Sequence, residues 1–129
     1  MTDWKWLRSD TARAVHDEQL AEHGGGQGIR DAGALLSALA RPQNLAAYGE
    51  PDAADLAAAY AFGVAKNHPF VDGNKRTAWV LARLFLQKNA IDLKFKGVEA
   101  VVAMLDLAAG ELSEAELAQW FRERIGAAS

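Results

Sequence analysis

The chain has 129 residues, half of them hydrophobic and 24% charged, with a formal net charge of −3 and no cysteine. Such a length suits one domain, residues 1–129, with one core. The acidic balance argues against general nucleic-acid binding, which needs clustered Lys and Arg, and the lack of cysteine removes disulfides and thiolate chemistry.

The N-terminal stretch MTDWKWLRSD holds no apolar run of the kind a signal peptide needs. No segment reaches the roughly 18–20 apolar residues of a membrane span. A cytoplasmic protein with no membrane contact is therefore expected. Ser9 or Asp10 is placed to cap a first helix running to about Glu22, with Ala12, Val15 and Leu20 on its apolar side. The run HGGGQG stops that helix. Asp31 opens a second helix with Leu35, Leu36 and Leu39 on one side, and Pro42 is expected to end it. Asp52 caps a third helix through about Lys66, whose interior from Leu56 to Ala65 carries no charge. A fourth runs from about Asn74 to Lys88, and between Ala78 and Leu86 only Arg83 is charged. Helices apolar nearly all round belong at the centre of a fold. IDLKFK alternates and suits a short extended piece. A fifth helix is expected over about Val98 to Ala109, closed by Gly110. Ser113 and Glu116 form a capping box for the last, through about Ile125, and GAAS reads as a frayed tail. The expected architecture is all-α: a compact bundle of about six helices with a central motif-bearing helix.

Between the two central helices lies NHPFVDGNKRTAW. A plain connector needs a turn and a cap, not His, Asp, Asn, Lys and Arg within nine residues. The loop leads into the N-terminus of the fourth helix, where free N–H groups and the helix dipole favour an anion. Gly73 allows close backbone approach, and Asn74 can cap the helix or meet a phosphate oxygen. Lys75 and Arg76 put two cations at the end of the helix that the dipole disfavours for them, a mismatch that a bound polyphosphate offsets. Asp72 offers the hard oxygen that Mg²⁺ prefers. His68 is a candidate base, since histidine changes charge near neutral pH. Base, metal ligand and phosphate cradle are the parts needed to move part of a nucleotide onto a hydroxyl. Each residue alone has a bland reading as turn, cap or solvated pair; the joint pattern does not. GNKRT lacks the spacing of a P-loop, and DGNKR lacks the acidic ladder of an EF-hand.

HPFVDGNKRTA resembles the Fic/Doc motif, His-x-Phe-x-Asp/Glu-Gly-Asn-Gly/Lys-Arg. The likeness spreads to VHDEQLAEHGGGQGIRDAGALLSALARPQNLAAYG before it and to LFLQKNAIDL after it, both similar to death-on-curing (Doc) type toxins. The resemblance implies the Fic/Doc fold and an ATP-dependent, protein-modifying transferase. It implies His68 as general base, Asp72 as holder of Mg²⁺ on the nucleotide, and Asn74 and Arg76 with the loop N–H groups as phosphate ligands. Typical AMP-transferring Fic proteins carry Gly where this chain has Lys75 and a second Arg where it has Trp79. Doc-type proteins share the Lys, lack that Arg, and pass the terminal phosphate of ATP to a threonine of elongation factor Tu. Gly73 is the Fic-like departure, since Doc has Ala there. The balance favours phosphate transfer, with AMP transfer and a catalytically silent binding module as the other readings. No inhibitory Ser/Thr-x-x-x-Glu-Gly/Asn pattern occurs, so the resemblance implies a Phd-like antitoxin that folds on binding. Bland readings fit the rest. His16 and His23 are structural or solvated, Arg30 and Asp31 fix the loop after the glycines, and Trp4, Trp6, Trp79 and Trp120 pack in or against the core.

Overall fold

The computed structural model describes residues 3–126. Six helices follow in chain order: α1 (Ser9–His23), α2 (Ala32–Tyr48), α3 (Ala53–Asn67), α4 (Asn74–Lys88), α5 (Gly97–Ala108) and α6 (Glu114–Arg124). Extended pairing among the described residues is limited to two isolated antiparallel bridges, Ile29 with Phe70 and Leu93 with Ile125. The fold is the expected all-α bundle. The tail reading, from Ala127 on, lies outside the described residues.

The uncharged interior of α3 makes it the axis of the bundle. Leu56, Tyr60 and Val64 are fully buried, and the small residues between them let α2, α4 and α6 close in. At Gly63 the approach is tightest: a Cβ there would stand 3.1 Å from Cα of Ala38 on α2. Asp52 and Asp55 close a capping box at the start of α3, and Ser113 and Glu116 close the expected one on α6. Arg122 ties these two helices together by donating to Asp52 (2.7 Å) and Asp55 (2.9 Å). That pairing, with the Asp55 N–H bond, holds the Asp52 carboxyl down to about 2. Trp4 and Trp6 cover Phe85, each with ring centroids 5.9 Å away, as packing residues do.

Three local expectations fail. Pro42 does not end α2, which runs on to Tyr48. Proline removes one helical hydrogen bond, but Pro42 itself is buried and Ala46 packs on the core, so tertiary burial holds the helix through the break. Neither Ser9 nor Asp10 caps α1; Arg8 takes the cap position without a side-chain bond. Asn74 does not cap α4 either. Gly73 occupies that position at φ 77°, and Asn74 is the first helical residue. In IDLKFK the extended character shrinks to the single bridge at Leu93.

Candidate active site

Helix α3 ends at Asn67 and α4 begins at Asn74, so six residues must reverse the chain between two packed helices. The reversal starts at His68, which adopts the left-handed conformation (φ 48°, ψ 56°) and leaves its side chain exposed. Phe70 then turns into the core as the anchor of the loop. Asn74, buried beneath it, reads both polar groups of Phe70: its Oδ1 accepts the N–H at 3.0 Å and its Nδ2 donates to the carbonyl at 3.0 Å. This pair fixes the amide orientation of Asn74. Its Nδ2 also lies 3.5 Å from Nδ1 of His68, too long a contact to fix the imidazole tautomer.

The other side of the loop is lined by the chain between α1 and α2. Val71 N–H donates to Gly28 (3.1 Å), and the N–H groups of Arg30 and Asp31 both donate to the Pro69 carbonyl (2.8 and 3.0 Å). The Arg30 guanidinium continues this contact, with Nη2 on the Asn67 carbonyl (2.8 Å) and Nε on that of His68 (2.6 Å). The glycine run is thus more than a helix stop. A Cβ at Gly25 would meet Oδ2 of Asp72 at 2.7 Å, and one at Gly26 would meet Cγ1 of Val71 at 2.9 Å. From α1, the buried ring of His16 stacks on Phe70 with centroids 3.8 Å apart, and its Nε2 lies 2.8 Å from the Asp72 carbonyl.

Asp72 faces solvent at the start of α4. Its Oδ1 accepts the Gly73 N–H at 2.8 Å and its Oδ2 that of Gly26 at 3.4 Å. The Gly73 bond, then the Gly26 bond, lower its carboxyl below the usual range, with the charges of Arg76 and His16 adding to the effect. Among the described residues no three His, Cys, Asp or Glu side chains converge into a metal cage. A lone ionised carboxylate with oxygen lone pairs still open fits Mg²⁺, which takes one or two carboxylates and completes its shell with phosphate and water. No side chain caps α4, so its first-turn N–H groups stay available. Lys75 and Arg76 are exposed on that same turn. They line a cleft of about 480 Å³ that continues past His23, Trp79 and Met104.

His68, Asp72, Gly73, Lys75 and Arg76 therefore stand on one loop and one helical turn, while Asn74 turns inward to shape the loop. Sequence reading missed Arg30 and His16 as partners of the loop. The sequence signal was weak: Arg30 closely follows the glycine run, and His16 sits within the helix before it.

A model of the Fic/DOC family matches residues 6–86, from α1 through most of α4. The chain belongs to the Fic/Doc family. A protein named protein kinase doc, from Escherichia phage P1, is 34% identical over 116 residues, 89% of this chain and 91% of that protein. A protein named toxin Doc, from Mycolicibacterium smegmatis, is 48% identical over 73 residues, 54% of this chain and 55% of that protein. Within the Fic/Doc frame, Trp79 is a packing residue, edge-on to Phe95 at 5.1 Å and stacked on Phe121 at 6.0 Å. One turn on, the guanidinium of Arg83 lies over the Phe95 ring at 5.0 Å. No helix among the described residues is long and apolar enough to cross a membrane.

Proposed function

We propose that this chain is the toxin of a toxin–antitoxin pair and a Mg·ATP-dependent transferase that phosphorylates a Ser or Thr hydroxyl of a target protein. The observation that carries the reading is the ionised Asp72 beside the uncapped turn of α4 bearing Lys75 and Arg76, one loop away from the exposed His68. The names of the two relatives, a protein kinase and a toxin, support it. Elongation factor Tu is the first target to test, and a Phd-like antitoxin the first partner.

In this reading His68 takes the proton of the target hydroxyl as its oxygen bonds to the γ-phosphorus. The bond from that phosphorus to the β–γ bridging oxygen breaks, and ADP leaves with the electron pair. Arg76, Lys75 and the first-turn N–H groups of α4 stabilise charge on the transferring group. Asp72 holds Mg²⁺, which when bound spreads the charge of the phosphates. Asn74 keeps the loop in shape rather than spending its amide on phosphate.

AMP transfer is the second reading, and Gly73 favours it. At φ 77° that position suits glycine, as in Fic proteins. Labelled ATP in a cognate lysate separates the two. Label from γ-labelled ATP in the target, lost in Lys75→Gly, is the expected result. Label from α-labelled ATP, with a product heavier by AMP, would mean that Gly73 was the better guide than Lys75. A protein that transfers neither label, with Mg²⁺ present, is a binding module.

A further inference from the structure

We propose that Arg30 is the positioning residue of the base: its guanidinium holds the backbone of His68 in the left-handed conformation and so sets where the imidazole stands. The inference rests on the reading of His68 as the base.

The conformation at His68 needs a cause. Among the described residues only His68 and Ala90 combine a side chain with φ above zero. A helix commonly ends on a left-handed residue, but the usual one is glycine, because a Cβ there crowds the following carbonyl oxygen. Here the chain has placed its candidate base at the glycine position. Such strain persists only where the surroundings over-determine it.

Arg30 supplies that determination. The two peptide planes flanking Cα of His68 carry the carbonyls of Asn67 and His68. The orientation of the first sets φ and that of the second sets ψ. Arg30 Nη2 holds the first at 2.8 Å and Nε the second at 2.6 Å. Its own N–H holds the next carbonyl, that of Pro69, at 2.8 Å. Three consecutive carbonyls thus end on one residue. A planar fork with fixed spacing can grip two of them at once, as a lysine ammonium on a flexible stem cannot. The positive charge also suits the C-terminal end of α3, where carbonyls lack helical partners. Arg30 is in turn held by the start of α2, where Asp31 caps the helix through Ala34 N–H. The position of the base is therefore coupled to α2 as well as to α3.

The test uses the full chain and two variants, Arg30→Ala and Arg30→Lys. NMR of His68, through its HN–Hα coupling and backbone carbon shifts, reports φ without any need for activity. Initial rates with labelled Mg·ATP report function. We expect both variants to stay folded, His68 to leave the left-handed region in Arg30→Ala, and kcat to fall about 10²-fold. The KM for ATP should stay within about twofold, because the phosphate side is untouched. Added ethylguanidinium should restore part of the rate of Arg30→Ala and none of that of His68→Ala, which separates a positional role from general damage. Arg30→Lys, with charge kept and fork lost, should fall between parent and Arg30→Ala. An unchanged His68 coupling in Arg30→Ala, or a parental kcat, overturns the proposal. A parent that transfers no label, or a His68→Ala that transfers as well as the parent, overturns the reading of the base instead, and the coupling of His68 still decides whether Arg30 holds it.

Discussion

His68 carries a backbone suited to glycine and a side chain suited to proton transfer, and the two can be separated by substitution. His68→Ala should lower transfer by about 10²–10⁴-fold, the usual contribution of a general base. His68→Gly should be equally inactive yet more stable than His68→Ala by about 1 kcal/mol, since it removes the Cβ from a left-handed site. Paired thermal melts and transfer rates check both, and a fully active His68→Ala removes the base role. Asp72 owes its lowered carboxyl first to the Gly73 N–H and then to that of Gly26. Its folded value lies below the ordinary one, so it stays charged down through the usual carboxylate range and loses its charge only as pH falls further. Asp72 itself should therefore cause no loss of Mg²⁺ binding from neutral pH down to about pH 5, its contribution fading only at lower pH. Asp72→Asn keeps an oxygen for Gly73 but loses the charge. Calorimetry should then show ATP binding that no longer responds to Mg²⁺; an unaltered Mg²⁺ response means another group holds the metal.

Among the elements, α3 and α6 are joined at their ends by charge rather than by burial alone. Asp52 caps α3 and receives both Nε and Nη2 of Arg122. Its carboxyl sits at about 2 in the fold against an ordinary 3.8. A depressed carboxyl adds stability that is complete above the unfolded value and is lost as pH falls through the folded one. The stability from this site should therefore fade between about pH 4 and pH 2. Half of the Asp52 side chain is exposed, so solvent screening keeps the ion pair small and the cap dominates. Asp52→Ala should cost about 1–2 kcal/mol at neutral pH and flatten the acid limb of the stability curve. Denaturant melts at pH 7 and pH 2.5 check this: an equal cost at both would show that charge plays no part. Helix α2 teaches the opposite lesson. Pro42 predicts a stop locally, but its burial within α2 outweighs one missing hydrogen bond.

On the scale of the molecule, the α2–α3 spacing sets the site. Arg30 precedes α2 and His68 follows α3, so the distance between these helices determines whether the guanidinium reaches its carbonyls. Gly63 sets that distance, with Cα and Cβ of Ala38 both 3.1 Å from where a Cβ would be. Gly63→Val should cost about 1–3 kcal/mol through overpacking. It should also lower the transfer rate of the folded fraction, although Gly63 touches no reacting group. Melting curves together with kcat normalised to folded protein test this; a destabilised variant with parental kcat would uncouple the packing from the site.

The sequence by itself determined the helices and pointed to the candidate site. Apolar periodicity placed α3 and α4 in the interior. Short-range capping signals at Asp31, Asp52 and Ser113 marked three helix starts, since capping acts within four residues of chain. His68, Asp72, Gly73, Lys75 and Arg76 could be named as candidates because they fall within one short stretch of chain, and closeness in sequence needs no fold to be read. Only the tertiary structure decided what lies against them. The bonds from Arg30 and His16 to the loop, and the glycine backbone against Asp72, span 37 to 56 residues of chain. No local pattern encodes such contacts, because they exist only once α1, α2 and α3 have packed. The same packing made Asn74, read as a cap or a phosphate ligand, the inward tie on Phe70, and carried α2 through Pro42 because burial outweighed a local preference.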